Sequence, residues 1–321
     1  MINSDKIIKL KRILEESLTP LISQDFALID IPDHDNIGDN LIWEGELYFL
    51  KNIPYKKYYE CSLKFFSADK IRTNTTLLMH GGGNFGDIYP VVNEFRIRLI
   101  HQFKNNKIII LPQTLHYQSE DILLRDAQII NQHPDITICC RDKKSYDLAL
   151  KYFHKATILL LPDMAFCIDL DRFSTSNKGS KTLIMNRKDN ENIKLSIQLE
   201  QPYDILDWPT FNTSVEKRHK KLRFEHRLDR IAIFLKKMPL FSFFIDDRYG
   251  IKDNHRKEKF IDMGIEFFSS YETIYTTRLH GMILAVLMGK HVVILDNNYG
   301  KLSSFYEEWL KDFKNISLYN K

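Results

Sequence analysis

Short apolar runs alternate with amphipathic stretches through the first half of the chain, and this alternation constrains the fold more than any other feature. Residues 26–31, 75–79, 107–111, 136–140 and 157–161 read as strands. Between them, 91–103, 119–132 and 143–153 carry apolar residues at three- and four-residue intervals and read as helices. Strand, helix and strand in repetition imply a parallel sheet covered on both faces. The loops leaving the C-terminal strand ends then converge on one edge, where ligands of open α/β sheets bind. Polar residues cluster at those positions: 33–40, 80–87, 113–116, 141–142 and 162–163.

With 321 residues the chain is too long for one ordinary core and suits two domains of about 150 residues each. The Ser-, Lys- and Asn-rich stretch 173–181 reads as the linker. Residues 1–172 are expected to form an N-terminal Rossmann-like domain with a Gly-rich loop. Residues 173–321 are expected to form a second one, with a basic insertion and a final C-terminal helix at 302–313. Its strands are read at 182–185, 272–276 and 291–295, with a helix at 282–288 and a long polar region at 188–259.

At 44% hydrophobic and 27% charged, the composition is that of a folded chain, not a disordered one. Cys61, Cys139, Cys140 and Cys167 show no C-x-x-C spacing, so neither a disulfide framework nor a structural zinc site is expected, and a reducing cytoplasm fits. No apolar run approaches the ~18–20 residues that cross a bilayer. Residues 1–18 have helical spacing, not the unbroken core of a signal peptide. The net charge of +4 does not diagnose a nucleic-acid binder, and no nucleic-acid partner is expected. The charge is concentrated: 217–237 holds nine Lys and Arg against Glu225 and Asp229, a balance of +7, and leaves −3 elsewhere. Phe224, Leu228, Ile231 and Leu235 recur there at helical spacing. They predict a solvated helix packing its stripe on the second domain; the alternative is a peripheral contact with an anionic membrane.

Three segments carry chemistry. HGGGNFGD (80–87) lies between a strand and a helix, and Gly81, Gly82, Gly83 and Asn84 there could present amides to an anion or simply form a tight turn. It lacks the Walker A Lys-Ser/Thr and the G-x-G-x-x-G spacing. Asp39 and Asn40 follow the first strand, where they orient a sugar hydroxyl or serve as turn and helix cap. In TTRLHG (276–281), Arg278 and His280 share a strand's tip, with Lys301 after the next strand and Arg141 ending a strand in the first half. Four such groups on loops facing one cleft suit a substrate bearing phosphate and carboxylate.

IGDNLIWEG (37–45), HGGGNFGD, LPQTLHY (111–117), RDKKSYDLA (141–149), LPDMAF (161–166), NRKDNE (186–191) and TTRLHGMILAVLMGK (276–290) stand in this order. With them the chain resembles the polysaccharide pyruvyl transferase family. The resemblance implies a GT-B-like pair of Rossmann-like domains with the active site in the interdomain cleft. It also implies transfer of pyruvate from phosphoenolpyruvate onto two sugar hydroxyls, on a glycan or a lipid-linked oligosaccharide, with no cofactor and no metal. His280 is then the general acid, Arg141 a bidentate clamp, Lys301 a charge on the departing phosphate, and Arg187 and Arg278 further substrate contacts. Two other readings stay open: a GT-B-like glycosyltransferase using a nucleotide sugar, and a non-catalytic sugar-binding protein.

Overall fold

A computed structural model describes residues 3–173, 179–187, 199–211, 215–248, 250–251, 256–296 and 300–319. Most of the expected linker and part of the polar region 188–259 lie outside the described residues. The chain opens with α1 (Ser4–Leu18), β1 (Phe26–Ile29), α2 (Ile37–Leu50), β2 (Lys57–Cys61), β3 (Thr76–Met79) and β4 (Gly82–Phe85). It continues through α3 (Pro90–Gln102), β5 (Lys107–Leu115), α4 (Glu120–Ile130), β6 (Ile136–Cys140), α5 (Lys143–Tyr152) and β7 (Thr157–Leu160). These strands form one sheet in the order β2-β1-β3-β5-β6-β7, with β4 added to the far end of β5, and every pairing is parallel.

The second half contributes β8 (Lys181–Met185), β9 (Tyr203–Leu206), α6 (Val215–Lys236), α7 (Pro239–Ser242), the two-residue strands β10 (Ile245–Asp246) and β11 (Gly250–Ile251), and α8 (Arg256–Ser269). It ends with β12 (Tyr271–Thr276), α9 (Leu279–Leu287), β13 (His291–Ile294), α10 (Lys301–Phe305) and β14 (Ile316–Leu318). The order β14-β13-β12-β8-β9 is again parallel throughout. The expected last helix is shorter than read: α10 widens into a π-helical turn at Tyr306–Leu310, and the last element is a strand on the sheet edge.

Alternation along the strands sorts side chains to opposite faces of the first sheet. Ala27 and Ile29 enter one apolar cluster with α3 and α4, while Phe26 and Leu28 enter another with α1 and α2. That second cluster does not stop at the first sheet. It runs through Met164, Phe166 and Leu41 to Leu183, Ile274 and Met282 of the second. Helix α2 lies within it, almost wholly buried, and Lys257 and Arg172 both pair with its Glu44. The C-terminal segment returns to the first half, where Phe305 stacks on Phe166 with centroids 6.4 Å apart.

The basic helix differs from expectation. Of the predicted stripe, Leu228 and Leu235 are half-buried, but Phe224 and Ile231 are exposed. Ala232 is buried beside Leu228 and Leu235, and polar contacts reach the first half, where Asp229 lies 3.2 Å from Lys64, and Lys236 donates to the Phe65 carbonyl at 2.8 Å. Among the described residues, no helix is long and apolar enough to span a membrane.

Candidate active site

The strand tips of the two sheets meet around one guanidinium. Arg141 follows β6 and is 1% exposed. Its Nε donates to Thr114 Oγ1 at 2.9 Å, its Nη1 donates to Asp163 Oδ2 at 2.6 Å, and its carbonyl accepts from Trp309 Nε1 at 2.8 Å. His280, in the first turn of α9, places Nε2 3.3 Å from both Asp163 Oδ2 and Arg141 Nη1. Asp163, fully buried, also accepts the Ala165 amide at 2.9 Å. Burial alone would raise its pKa, but His280, Arg141 and that amide outweigh burial and hold the carboxyl below its ordinary range. An ionised Asp163 is placed to accept a hydrogen bond from His280 Nε2. Gly38 makes room for the ring, since a Cβ there would lie 2.7 Å from Nδ1.

This geometry revises two expectations. Arg141 is a buried partner of Asp163, not a loop cation. Only Nη2 of its fork has no partner among the described residues, so it cannot clamp an anion with both arms while the Asp163 contact holds. Asp163 itself was missed as a site residue, although it stands in the polar cluster after β7.

Helix α9 has no side-chain cap, and among the described residues the amides of Leu279, His280 and Gly281 meet no acceptor. First-turn amides without an acceptor favour an anion, as does the positive end of the helix dipole.

The Gly-rich segment is built differently from its reading as an amide cradle before a helix. Gly82–Phe85 is a strand and α3 starts only at Pro90. The Gly81 amide donates to Glu46 Oε1 at 2.8 Å, and Glu46 Oε2 lies 2.8 Å from His80 Nδ1. Burial works against a charged His80, but Glu46 more than offsets it and raises the pKa. Arg96 completes this knot by donating to the His80 carbonyl and to Asp30. Gly83 lies in β4, and Asn84 Oδ1 accepts from Gln113 Nε2 at 3.3 Å. Gly82, at φ +125°, still borders the site. A Cβ built there would lie 3.6 Å from Gln113 Oε1 and 4.0 Å from Asp39 Oδ1, so both oxygens face one space. Gln113 Oε1 is buried without a hydrogen-bond partner. Asp39 is held ionised: burial opposes this, but His34, His280, His80 and Arg141 outweigh it.

Asn40 has a structural task, donating to the carbonyls of His34 and Asn36 at 3.1 and 2.8 Å. Arg278 grips buried Asp207 with Nε at 2.5 Å and Nη2 at 2.7 Å, so it anchors the loop after β9. The Arg187 amide donates to Thr277 Oγ1 at 3.4 Å. Lys301 is the first residue of α10, and its side chain lies outside the described residues. Among the described residues, no group of three or more His, Cys, Asp or Glu is placed to hold a metal ion.

Fold and site together define an α/β protein of two parallel sheets whose strand tips assemble a buried Arg–Asp–His cluster beside uncapped helix amides. The chain belongs to the polysaccharide pyruvyl transferase family, whose model matches residues 36–299, and is a transferase by that membership. It is 32% identical to the EpsO protein of Bacillus subtilis (strain 168), provisionally named a pyruvyl transferase, over 97% of this chain and 94% of that one. It is 29% identical to Pyruvyl transferase 1 of Schizosaccharomyces pombe, over 88% of this chain and 69% of that one. A crystal structure of a functionally uncharacterised Klebsiella pneumoniae protein matches with a TM-score of 0.64 at 20% identity, covering 99% of this chain and 100% of that one. That likeness concerns the fold alone.

Proposed function

We propose that the protein transfers pyruvate from phosphoenolpyruvate to two hydroxyls of a sugar in a cell-surface or exopolysaccharide, or its lipid-linked precursor, forming a cyclic ketal and releasing phosphate. The observation that carries this reading is the Arg141–Asp163–His280 cluster, with first-half and second-half residues in contact beside the uncapped first turn of α9. A GT-B-like architecture with the site between the halves is part of the same proposal.

Phosphoenolpyruvate carries a phosphate and a carboxylate on one enol carbon. In this reading the α9 amides and Arg141 Nη2 receive its anionic groups, and Lys301 follows the departing phosphate. His280 gives a proton to the methylene carbon, and the first sugar hydroxyl adds to C2, giving a tetrahedral phospho-ketal. The proton lost by the first hydroxyl restores the imidazolium. The C2–O bond to phosphate then breaks, the second hydroxyl closes the ring, and its proton departs with the phosphate. Asp39 and Gln113 Oε1 are the acceptors that orient the hydroxyls. These steps balance without a cofactor.

Incubating the protein with phosphoenolpyruvate and candidate glycans tests the reading. Phosphate release that depends on the glycan, with pyruvate retained in the product, supports it. UDP release from a nucleotide sugar would replace it with glycosyl transfer, and glycan binding without turnover of either donor would leave a binding protein.

A further inference from the structure

Among the described residues, the most solvent-exposed apolar surface lies on the second half of α6, on α7 and just beyond it. Phe234 is 65% exposed, Leu240 85%, Phe243 76% and Phe244 63%, and Ile231, Ile233, Met238 and Phe241 extend the patch. Sequence periodicity does not reveal it, because residues 238–244 follow the helix whose pattern suggests a stripe. Large side chains this contiguous and this exposed mark a contact surface.

Charge identifies what the surface meets. Among the described residues 227–244, the exposed charged side chains are Arg227, Arg230 and Lys237, all cationic. Asp229 turns inward to Lys64, and Asp247, just beyond, pairs with Lys70 and Lys236. Aromatic and aliphatic groups rimmed by Arg and Lys suit the interface of an anionic bilayer, where the apolar groups enter the acyl boundary and the cations meet headgroup phosphates. A second copy of the chain fits less well, since a two-fold contact on this patch would bring its cationic rims together.

We infer that α6 and α7 form a membrane-docking elbow, seating residues 231–244 on an anionic lipid surface. The elbow is rooted beside the candidate site. Lys64 bridges Asp229 of α6 to Asp33, at 3.2 and 3.1 Å, and Asp33 begins the loop that leads into α2 and Asp39. If the pyruvyl-transfer reading holds, a lipid-carried acceptor would approach from the docked side. The docking itself does not depend on that reading.

Cosedimentation of the full chain with vesicles tests it without substrate, so failure here says nothing about catalysis. The protein is expected to pellet with phosphatidylglycerol-containing vesicles, less with pure phosphatidylcholine, and less as salt rises. Leu240→Glu with Phe243→Glu, and separately Arg227→Gln with Arg230→Gln, should each weaken binding by roughly tenfold or more while circular dichroism stays unchanged. Absence of pelleting on anionic vesicles at low salt overturns the inference. So does an apolar-site variant that binds like the wild type, or one that turns a wild-type dimer into a monomer in analytical ultracentrifugation.

Discussion

At the end of β3, the Gly81 amide meets Glu46 and the His80 carbonyl meets Arg96; at the end of β12, the amides of Leu279, His280 and Gly281 meet no acceptor among the described residues. Both turns combine His with Gly at the tip of a parallel strand, and the glycine-richer one looks more like an anion loop. Glycine permits amides to approach a ligand, but a ligand is needed only where the protein has left those amides unpaired. The first turn is a closed knot that borders the site through Gly82. The second remains open to an anion, with Arg141 and His280 beside it.

The largest effect that would sharpen this contrast is expected at His280. His280→Gln should retain phosphoenolpyruvate binding by calorimetry while turnover falls by roughly 10²- to 10⁴-fold; near-normal turnover would remove it as the acid. Gly38→Ala comes next. The added methyl would lie 2.7 Å from His280 Nδ1 and displace the ring, so turnover should fall about 10²-fold with binding little changed. Unaltered kinetics would mean that the ring's placement against α2 is unimportant.

Gly82→Ala tests the closed turn. Forcing an alanine to φ +125° should cost about 1–3 kcal/mol, seen as a lower Tm, with phosphoenolpyruvate affinity preserved in the folded protein. Weaker affinity at unchanged Tm would break the comparison and return the glycine segment to the anion site. The smallest effect concerns pH. Glu46 raises the pKa of His80 above 6.5, so this pair's contribution is fully present below that pH and is lost as pH rises through the higher folded value. The Tm of the wild type should therefore decline over that window by more than the Tm of His80→Gln. Parallel pH curves would show that the His80–Glu46 contact carries no linked stability.

Strands with buried aliphatic runs were legible because both faces of a parallel sheet exclude water. Ile136–Cys140 was read with the boundaries observed. Strand β2, KYYEC, mixes charge with tyrosine and carries no such run. The strand read at 107–111 stops just before Pro112, a residue that cannot donate to a ladder, yet β5 continues to Leu115 past a register shift between Ile110 and Gln113. Strand β4 was hidden for a related reason. GGNF has turn composition, and it becomes a strand only because the overlong β5 offers it an edge.

The candidate site divides the same way. Local composition determined that Arg141, His280 and Asp39 would stand at strand tips, because alternation orients successive strands and leaves their polar exits on one edge. Composition could not say which cations were already spent. Arg278 and Arg141 look equivalent in sequence, but Asp207 takes up Arg278 through both Nε and Nη2, while Asp163 leaves Nη2 of Arg141 without a partner. Those carboxylates lie 71 and 22 residues away along the chain. Only the lateral order of strands within each sheet, β6 beside β7 in the first and β12 and β9 flanking β8 in the second, brings them within hydrogen-bond range, where burial makes an unpaired charge so costly that each one's partner decides its role.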